Sequence, residues 1–66
     1  MDKRMYRILD MFSNGQYYTA EKIAEQLNIS TKTVRNLLKE INREIEASGA
    51  LIRSKFGVGY YLEVSK

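Results

Sequence analysis

A row of cationic and amide side chains recurs at helical spacing near the middle of the chain. The row consists of Lys32, Asn36, Lys39 and Arg43, separated by four, three and four residues. Residues at these intervals lie on one face of an α-helix. A carboxamide can bond bidentately to the N6/N7 edge of adenine, and neighbouring cations can neutralise phosphates, so the row predicts contact with the DNA major groove. The same residue types also line the solvated side of ordinary surface helices, which the row alone does not exclude.

The helix that contains this row is predicted to span residues 30–48. Its opposite face is apolar and is expected to meet the core through Val34, Leu37, Leu38, Ile41 and Ile45. At its start, Ser30, Thr31 and Thr33 offer hydroxyls, and the first turn of a helix offers unpaired backbone N–H groups, which together could hold a phosphate. Ser30 would serve equally well as the N-cap, and the two roles are compatible.

The predicted DNA contact set on this helix is Ser30, Thr31, Lys32, Thr33, Arg35, Asn36, Lys39 and Arg43. We assign base-edge contacts to Lys32 and Asn36, which lie near the N-terminal end of the helix, with Arg35 at the flank. Lys39 and Arg43 lie farther along the helix and are expected to reach phosphates. For Arg43, an ion pair with a neighbouring glutamate, Glu40 or Glu46, is an equally good interpretation.

Length and composition exclude most kinds of catalysis. A chain of 66 residues hides only about 60% of its unfolded surface on folding, which leaves little room for a deep substrate cavity. The chain contains no Cys and no His, which removes the commonest zinc, haem and thiol chemistries. The sequence therefore predicts one non-enzymatic domain over residues 1–66, with no metal and no cofactor.

Charge is distributed unevenly along the chain. Acidic and basic residues balance within residues 1–27, so the whole net charge of +3 falls within residues 28–66. This asymmetry indicates an anionic partner for the second half. No run approaches the roughly 20 apolar residues of a membrane span, and the first residues lack the apolar region of a signal peptide. We therefore expect a cytoplasmic protein that does not contact a membrane.

Two further helices are expected before the long one. Apolar residues recur at helical spacing within residues 2–12, and a Ser-Asn-Gly run at residues 13–15 ends this first helix. Residues 16–18 are long enough for only one short extended segment. Thr19 is a good N-cap for a second helix over residues 20–27. Three helices are therefore predicted ahead of residue 49.

The junction between the second and third predicted helices has a specific spacing. A small residue, Ala24, is followed four residues later by Asn28, which tolerates the left-handed conformation, and then by the apolar Ile29. Further apolar positions in the same frame are Ile23, Leu27, Val34 and Leu37. Ala24 would let the helices approach closely, Asn28 would make the sharp turn and Ile29 would fill the corner. The unit resembles a helix-turn-helix, with Asn28 at a position where that family usually has Gly.

After residue 49 the hydrophobic pattern becomes that of β-strands. Residues 51–55 and 60–64 are predicted to form a hairpin with its tip at residues 56–59. The core-facing residues of this hairpin are expected to be Ile52, Tyr60, Leu62 and Val64. Residues 16–18 can add a short third segment at the edge of the sheet.

Two cations and an aromatic residue surround the hairpin tip. Arg53 and Lys55 precede the tip and would be placed to meet backbone phosphates or a minor groove. Gly57 and Gly59 allow a tight turn, as glycine does in any hairpin. We expect Phe56 to fold back on the core, although a tip aromatic could also stay exposed until it meets DNA.

Three helices followed by a glycine-tipped hairpin resemble a winged helix-turn-helix, and the resemblance covers nearly the whole chain. The ending KFGVGYYL is similar to the wing of the type found at the N-terminus of the biotin repressor and of bacterial sugar-responsive regulators with phosphotransferase-regulated domains. The resemblance implies an α+β fold whose third helix enters the major groove of double-stranded DNA and whose wing touches flanking backbone or minor groove. It also implies a bacterial transcription regulator that normally continues into effector and dimerisation domains. The chain is then either a very small regulator or the N-terminal fragment of a larger one; we favour the fragment and expect it alone to be monomeric.

Other functions compete with DNA binding. The main alternative is a protein-interaction module, because the fold does not dictate its partner; its third helix would then show an apolar or acidic outer face. RNA fits less well, because a helix enters the deep, narrow RNA major groove poorly. An enzyme would need ionisable groups with shifted pKa values, whereas the Lys and Glu neighbours here are expected on solvated helix faces.

Overall fold

The computed structural model describes residues 1–65 of the chain. Its helices are α1 (Lys3–Phe12), α2 (Ala20–Leu27) and α3 (Thr31–Ile45), and a 3-10 turn (Glu46–Ser48) follows α3. Two strands, β1 (Ala50–Lys55) and β2 (Gly59–Val64), form an antiparallel hairpin, the wing. The predicted α+β winged helix-turn-helix, three helices and a C-terminal hairpin, is confirmed.

Each helix begins at a polar side chain that caps its free N–H groups. Asp2, Thr19 and Ser30 each accept a hydrogen bond from the backbone N–H three residues later, at 3.0 to 3.1 Å. The N-caps predicted at Thr19 and Ser30 are therefore confirmed. At Asp2, the bond from Met5 N–H lowers the pKa of the carboxyl below its ordinary value.

A left-handed residue makes the corner between α2 and α3. Asn28 has φ 58° and ψ 48°, and the N–H of Ile29 donates to Ala24 O at 3.0 Å. Ala24 is buried, and Ile29 packs against the core. The roles predicted for these three residues are confirmed, and so short a turn fixes the angle between the two helices.

The core lies where the three helices meet the inner face of the wing. Its most deeply buried members from the helices are Ile8, Phe12, Ile23, Val34 and Ile41. From the wing, Ile52 is buried as predicted, and Tyr60 and Leu62 pack against the core from half-buried positions. Val64 was expected to face inward, but 62% of it is exposed. It stands at the open end of the hairpin, opposite Ala50, past the last core residue.

A single β-bridge ties the wing to the start of α2. Tyr18 N donates to Tyr60 O at 2.9 Å, and Tyr60 N donates to Tyr18 O at 2.7 Å. The third edge segment predicted at residues 16–18 is therefore present as one bridge rather than as a longer strand, because the chain turns at once into the α2 cap. The Tyr18 ring packs edge-on against Phe12, with 5.5 Å between ring centroids.

The long helix is shorter than predicted. A continuous helix was expected over residues 30–48, whereas α3 ends at Ile45 and a 3-10 turn covers the remaining residues. This tighter turn satisfies carbonyl groups that the end of α3 leaves unpaired: Gly49 N donates to Glu46 O at 3.0 Å, and Ser48 Oγ donates to Ile45 O at 2.7 Å. The turn leads the chain directly into β1.

Two features are absent from residues 1–65. None of the helices there combines the length and the hydropathy needed to cross a bilayer. Those residues also hold no group of three or more acidic, His or Cys side chains arranged to bind a metal ion.

Candidate nucleic-acid interface

The predicted row of polar side chains forms one exposed surface on α3. Its members, called here the α3 ridge, are Lys32, Asn36, Lys39 and Arg43, all exposed. The opposite side of α3 is buried in the core. The ion pairs formed within residues 1–65 join Arg4 to Asp2, Lys22 to Glu25 and Arg53 to Glu63, so none involves the ridge. The alternative pairing of Arg43 with a neighbouring glutamate is therefore not observed, and the ridge cations are available to an external anion.

The start of α3 presents hydroxyls whose bonds are local. Ser30 Oγ accepts from Thr33 N at 3.1 Å and donates to Thr33 Oγ1 at 2.9 Å. Thr31 and Thr33 are half-buried. The backbone N–H groups of Thr31 and Lys32 precede the first intrahelical bond, which runs from Val34 N to Ser30 O. Ser30 thus fills its capping role, and the free N–H groups beside it can still meet a phosphate.

Arg35 lies apart from the α3 ridge, on the side of α3 that faces the wing. It lines an open cleft of about 680 Å³, called here the wing cleft. Residues 19–21, at the start of α2, and residues 54–60, at the end of the wing, form the other walls. The cleft contains the cations Arg35 and Lys55 and one carboxylate, Glu21. The structure therefore places Arg35 in the wing cleft rather than on the ridge with Lys32 and Asn36.

Lys55 lies over an aromatic pair on the outer face of the wing. Its Nζ is 5.9 Å from the centroid of the Tyr17 ring, and Tyr17 packs against Tyr61 with 5.2 Å between ring centroids. A cation over an aromatic face is attracted by the ring quadrupole. The tyrosine pair therefore helps to orient the ammonium group on the outer face of the wing.

Among the ion pairs formed within residues 1–65, Arg53 is the one predicted contact residue that has an anionic partner. Its guanidinium forms an ion pair with Glu63 on the neighbouring strand. Both side chains are about half exposed, so the pair contributes little stability. With Glu46, the pair lines a separate surface depression at the base of the wing. Arg53 therefore does not join the wing cleft.

Asn42 positions the wing on α3, a role that was not predicted from the sequence. Asn42 Oδ1 accepts from Ile52 N at 2.7 Å, and Asn42 Nδ2 donates to Ile52 O at 3.0 Å. The amide thus pairs with both backbone groups of one β1 residue, as a neighbouring strand would. A signal was present in the sequence: Asn42 follows Arg35 by seven residues and so lies on the same side of the helix, at the border of the apolar stripe.

The tip aromatic is exposed, contrary to our expectation. Phe56 was predicted to fold back on the core, but its side chain is fully exposed (104%). The turn that contains it lies beyond Ile52, the buried residue of β1, and the last three residues of β1 are already exposed. Phe56 instead forms one wall of the wing cleft.

Comparison with known proteins gives two matches. A family model described as an HTH domain matches residues 4–61. The chain is also similar to a protein of Bacillus subtilis (strain 168) named a probable licABCH operon regulator, with 41% identity over 46 residues. That alignment covers 70% of this chain and 7% of the regulator, so the chain spans only a small part of its relative's length. The search of solved structures gave no match.

Proposed function

The chain belongs to the HTH domain family, and from this premise we propose that it binds double-stranded DNA sequence-specifically as the DNA-reading part of a bacterial transcription regulator. In this proposal α3 enters the major groove, and the wing lies on the flanking backbone or minor groove. The name of the Bacillus subtilis relative, an operon regulator, supports this role. Membership of the family favours binding over catalysis.

The observation that most strongly supports the proposal is the state of the α3 ridge. It presents three cations and one amide, exposed and outside the ion pairs of residues 1–65. A protein-interaction helix would be expected to present apolar or acidic residues on this surface. The ridge instead suits a groove lined by base edges and bordered by phosphates.

Contacts along α3 divide into two classes in this proposal. Lys32 and Asn36 read base edges, while Lys39 and Arg43 reach phosphates farther along the helix. Residues 30–33 hold a further phosphate through their hydroxyls and the free N–H groups of the first turn. The position of Arg35 in the wing cleft favours a phosphate contact over the base-edge contact that the sequence suggested.

The wing provides the remaining contacts. Lys55 meets a phosphate from its place over the Tyr17 ring. Arg53 can do so only in competition with Glu63, so we expect its contribution to be smaller.

Domains beyond the matched region would supply additional affinity. A single module of this kind buries about 600 to 1,000 Å² on DNA and binds modestly. We therefore propose that the intact regulator gains affinity by dimerising through domains outside these residues, with effector domains among them. The relative, of which this chain matches 7%, is long enough to contain such domains. The cytoplasmic location stays a prediction.

The proposal as a whole is tested by selecting bound duplexes from a random pool at two salt concentrations. We expect enrichment of one consensus and weaker binding at the higher salt, because phosphate contacts release counterions. If no duplex is enriched, or if binding does not depend on salt, the protein-interaction alternative is favoured.

Substitution of Asn36 by alanine should relax sequence preference at one base pair. The amide is exposed on the ridge near the start of α3, where a bidentate contact to adenine is worth roughly 1 to 3 kcal/mol of discrimination. The measurement is a repeated selection with the variant, compared position by position with the original consensus. An unchanged consensus would remove Asn36 from the base-reading residues.

Lys39→Ala should weaken binding to all sequences alike and lower the salt slope of the binding constant by about one. The reason is that one phosphate contact is lost without any change in base reading. Titrations of a specific and a random duplex at several salt concentrations give both quantities. Lys3→Ala, which removes an exposed lysine of α1, is the matched control and should leave the slope unchanged. A change confined to one sequence would show that Lys39 reads bases instead.

A further inference from the structure

Phe56 and Val58 form an exposed apolar tip on the wing. Phe56 is 104% exposed and Val58 44% exposed. A Cβ built on Gly57, between them, would meet nothing within 4 Å. The turn itself is closed by a bond from Val58 N to Lys55 O at 3.0 Å. A solvent-exposed aromatic side chain buries no apolar surface when the chain folds and so does not stabilise the fold. Its exposed position therefore suggests a role in binding.

The surroundings of the tip are cationic. The wing cleft beside Phe56 is lined by Arg35, Lys55 and a single carboxylate residue, Glu21. The Lys55 ammonium group lies over the Tyr17 ring on the outer face of the wing. Neither cation takes part in the ion pairs formed within the described residues. An apolar tip beside a cationic cleft fits a minor groove and the phosphates that border it better than it fits a second copy of this positively charged chain.

The geometry of B-DNA relates the cleft to the tip. One sugar-phosphate strand separates a major groove from the minor groove next to it. With α3 in the major groove and the wing at the minor groove, that strand must pass between them, through the wing cleft. The two groove centres are about half a helical turn apart, roughly 17 Å, which is within the 32 × 27 × 18 Å extents of the Cα trace. Phe56 stands on the wing side of the cleft and therefore beyond the strand.

We propose that Phe56 enters this minor groove as an apolar wedge and partly unstacks one base step. Arg35 holds the intervening phosphates in the wing cleft, and Lys55 meets a neighbouring phosphate from the outer face of the wing. The proposal rests on the proposed function and adds a specificity determinant to it. Apolar wedges between base steps kink the duplex and enlarge the protein contact. Pyrimidine–purine steps unstack most easily, so the bound site should prefer such a step about five base pairs from the centre of the α3 contacts.

The test uses the full 66-residue chain and the duplex obtained by selection, with 2-aminopurine placed in turn at each base of the flank. We expect a rise in 2-aminopurine fluorescence at one step when the protein binds. Phe56→Ala should abolish this rise and weaken binding by about tenfold, the equivalent of losing one buried aromatic side chain. Phe56→Leu, which keeps an apolar wedge, should retain most of the fluorescence rise and most of the binding affinity.

Controls separate the wedge from the proposed function. Phe56 is fully exposed, so the thermal midpoint of Phe56→Ala should match that of the original chain. Tyr6→Ala removes another exposed aromatic, on α1, and should bind as the original chain does. If Phe56→Ala binds the duplex normally and still gives the fluorescence rise, the wedge proposal is wrong and the proposed DNA binding stands. If no duplex is selected, the wedge proposal and the proposed DNA binding both fail. If Phe56→Ala instead abolishes self-association in sedimentation, the tip is a protein contact and the wedge is overturned.

Discussion

Replacing Gly59 with alanine is expected to lower the free energy of unfolding by at least about 2 kcal/mol. Gly59 has φ +130°, and a Cβ there would lie 2.9 Å from both the carbonyl carbon and the oxygen of Tyr18. It would also lie 3.1 Å from Thr19 N. These are backbone atoms, so no side-chain rotation relieves the contact. The bridge between Tyr18 and Tyr60 would have to open, and the wing would move away from the start of α2.

Gly57→Ala is the matched control for this prediction. Gly57 also has a positive φ, +78°, but a Cβ there has open space around it. Its substitution should cost only the conformational penalty of the left-handed region, about 1 kcal/mol. Urea denaturation of both variants, followed by circular dichroism, gives the two free energies. Equal losses of unfolding free energy in the two variants would show that the backbone conformation alone, and not the contact with residues 18 and 19, requires glycine at position 59.

Asn42→Leu is expected to lower the free energy of unfolding by roughly 2 to 4 kcal/mol, because two backbone groups of a buried residue lose their partners. The amide pairs with Ile52 N at 2.7 Å and with Ile52 O at 3.0 Å, and Ile52 is 5% exposed. Leucine can make neither bond. For a domain of this length, whose total stability is of the order of 3 to 10 kcal/mol, this is a large fraction.

Asn36→Leu provides the same substitution on the same helix at an exposed position. Its effect on stability should stay within about 0.5 kcal/mol. Hydrogen exchange gives a local readout for a milder variant, Asn42→Ala: the Ile52 amide should lose protection before the α3 amides do. If the Ile52 amide stays as protected as it was, the Asn42 side chain is not what shields it.

The corner of the helix-turn-helix could be read from sequence because its requirements are local. Ala24, Asn28 and Ile29 meet constraints of close approach, backbone conformation and corner filling within six residues, and spacing alone reveals them. The exposed face of α3 could be predicted for a similar reason, since helical periodicity decides which side chains share a side. What each ridge residue touches is not fixed by periodicity, so those assignments stay predictions.

The features that were predicted wrongly or missed share a different cause. Strand alternation indicates which face Val64 occupies, but not how far the core extends beneath that face, and the core ends before it. Phe56 lies in the turn, where alternation no longer applies. The pairing of Asn42 with Ile52 depends on the 3-10 turn between α3 and β1. That turn was not predicted, because α3 was expected to continue to residue 48. These features depend on how elements pack together rather than on the pattern within any one of them.

The wing is fastened on both of its long edges: Asn42 bonds the outer edge of β1, and Tyr18 bonds the outer edge of β2. A loop that becomes ordered only on its target must give up conformational entropy during association, which weakens binding. Here that entropy is already lost when the polypeptide folds. In the proposed complex with DNA the hairpin is therefore preorganised, and the free energy of its contacts goes into affinity rather than into ordering the loop.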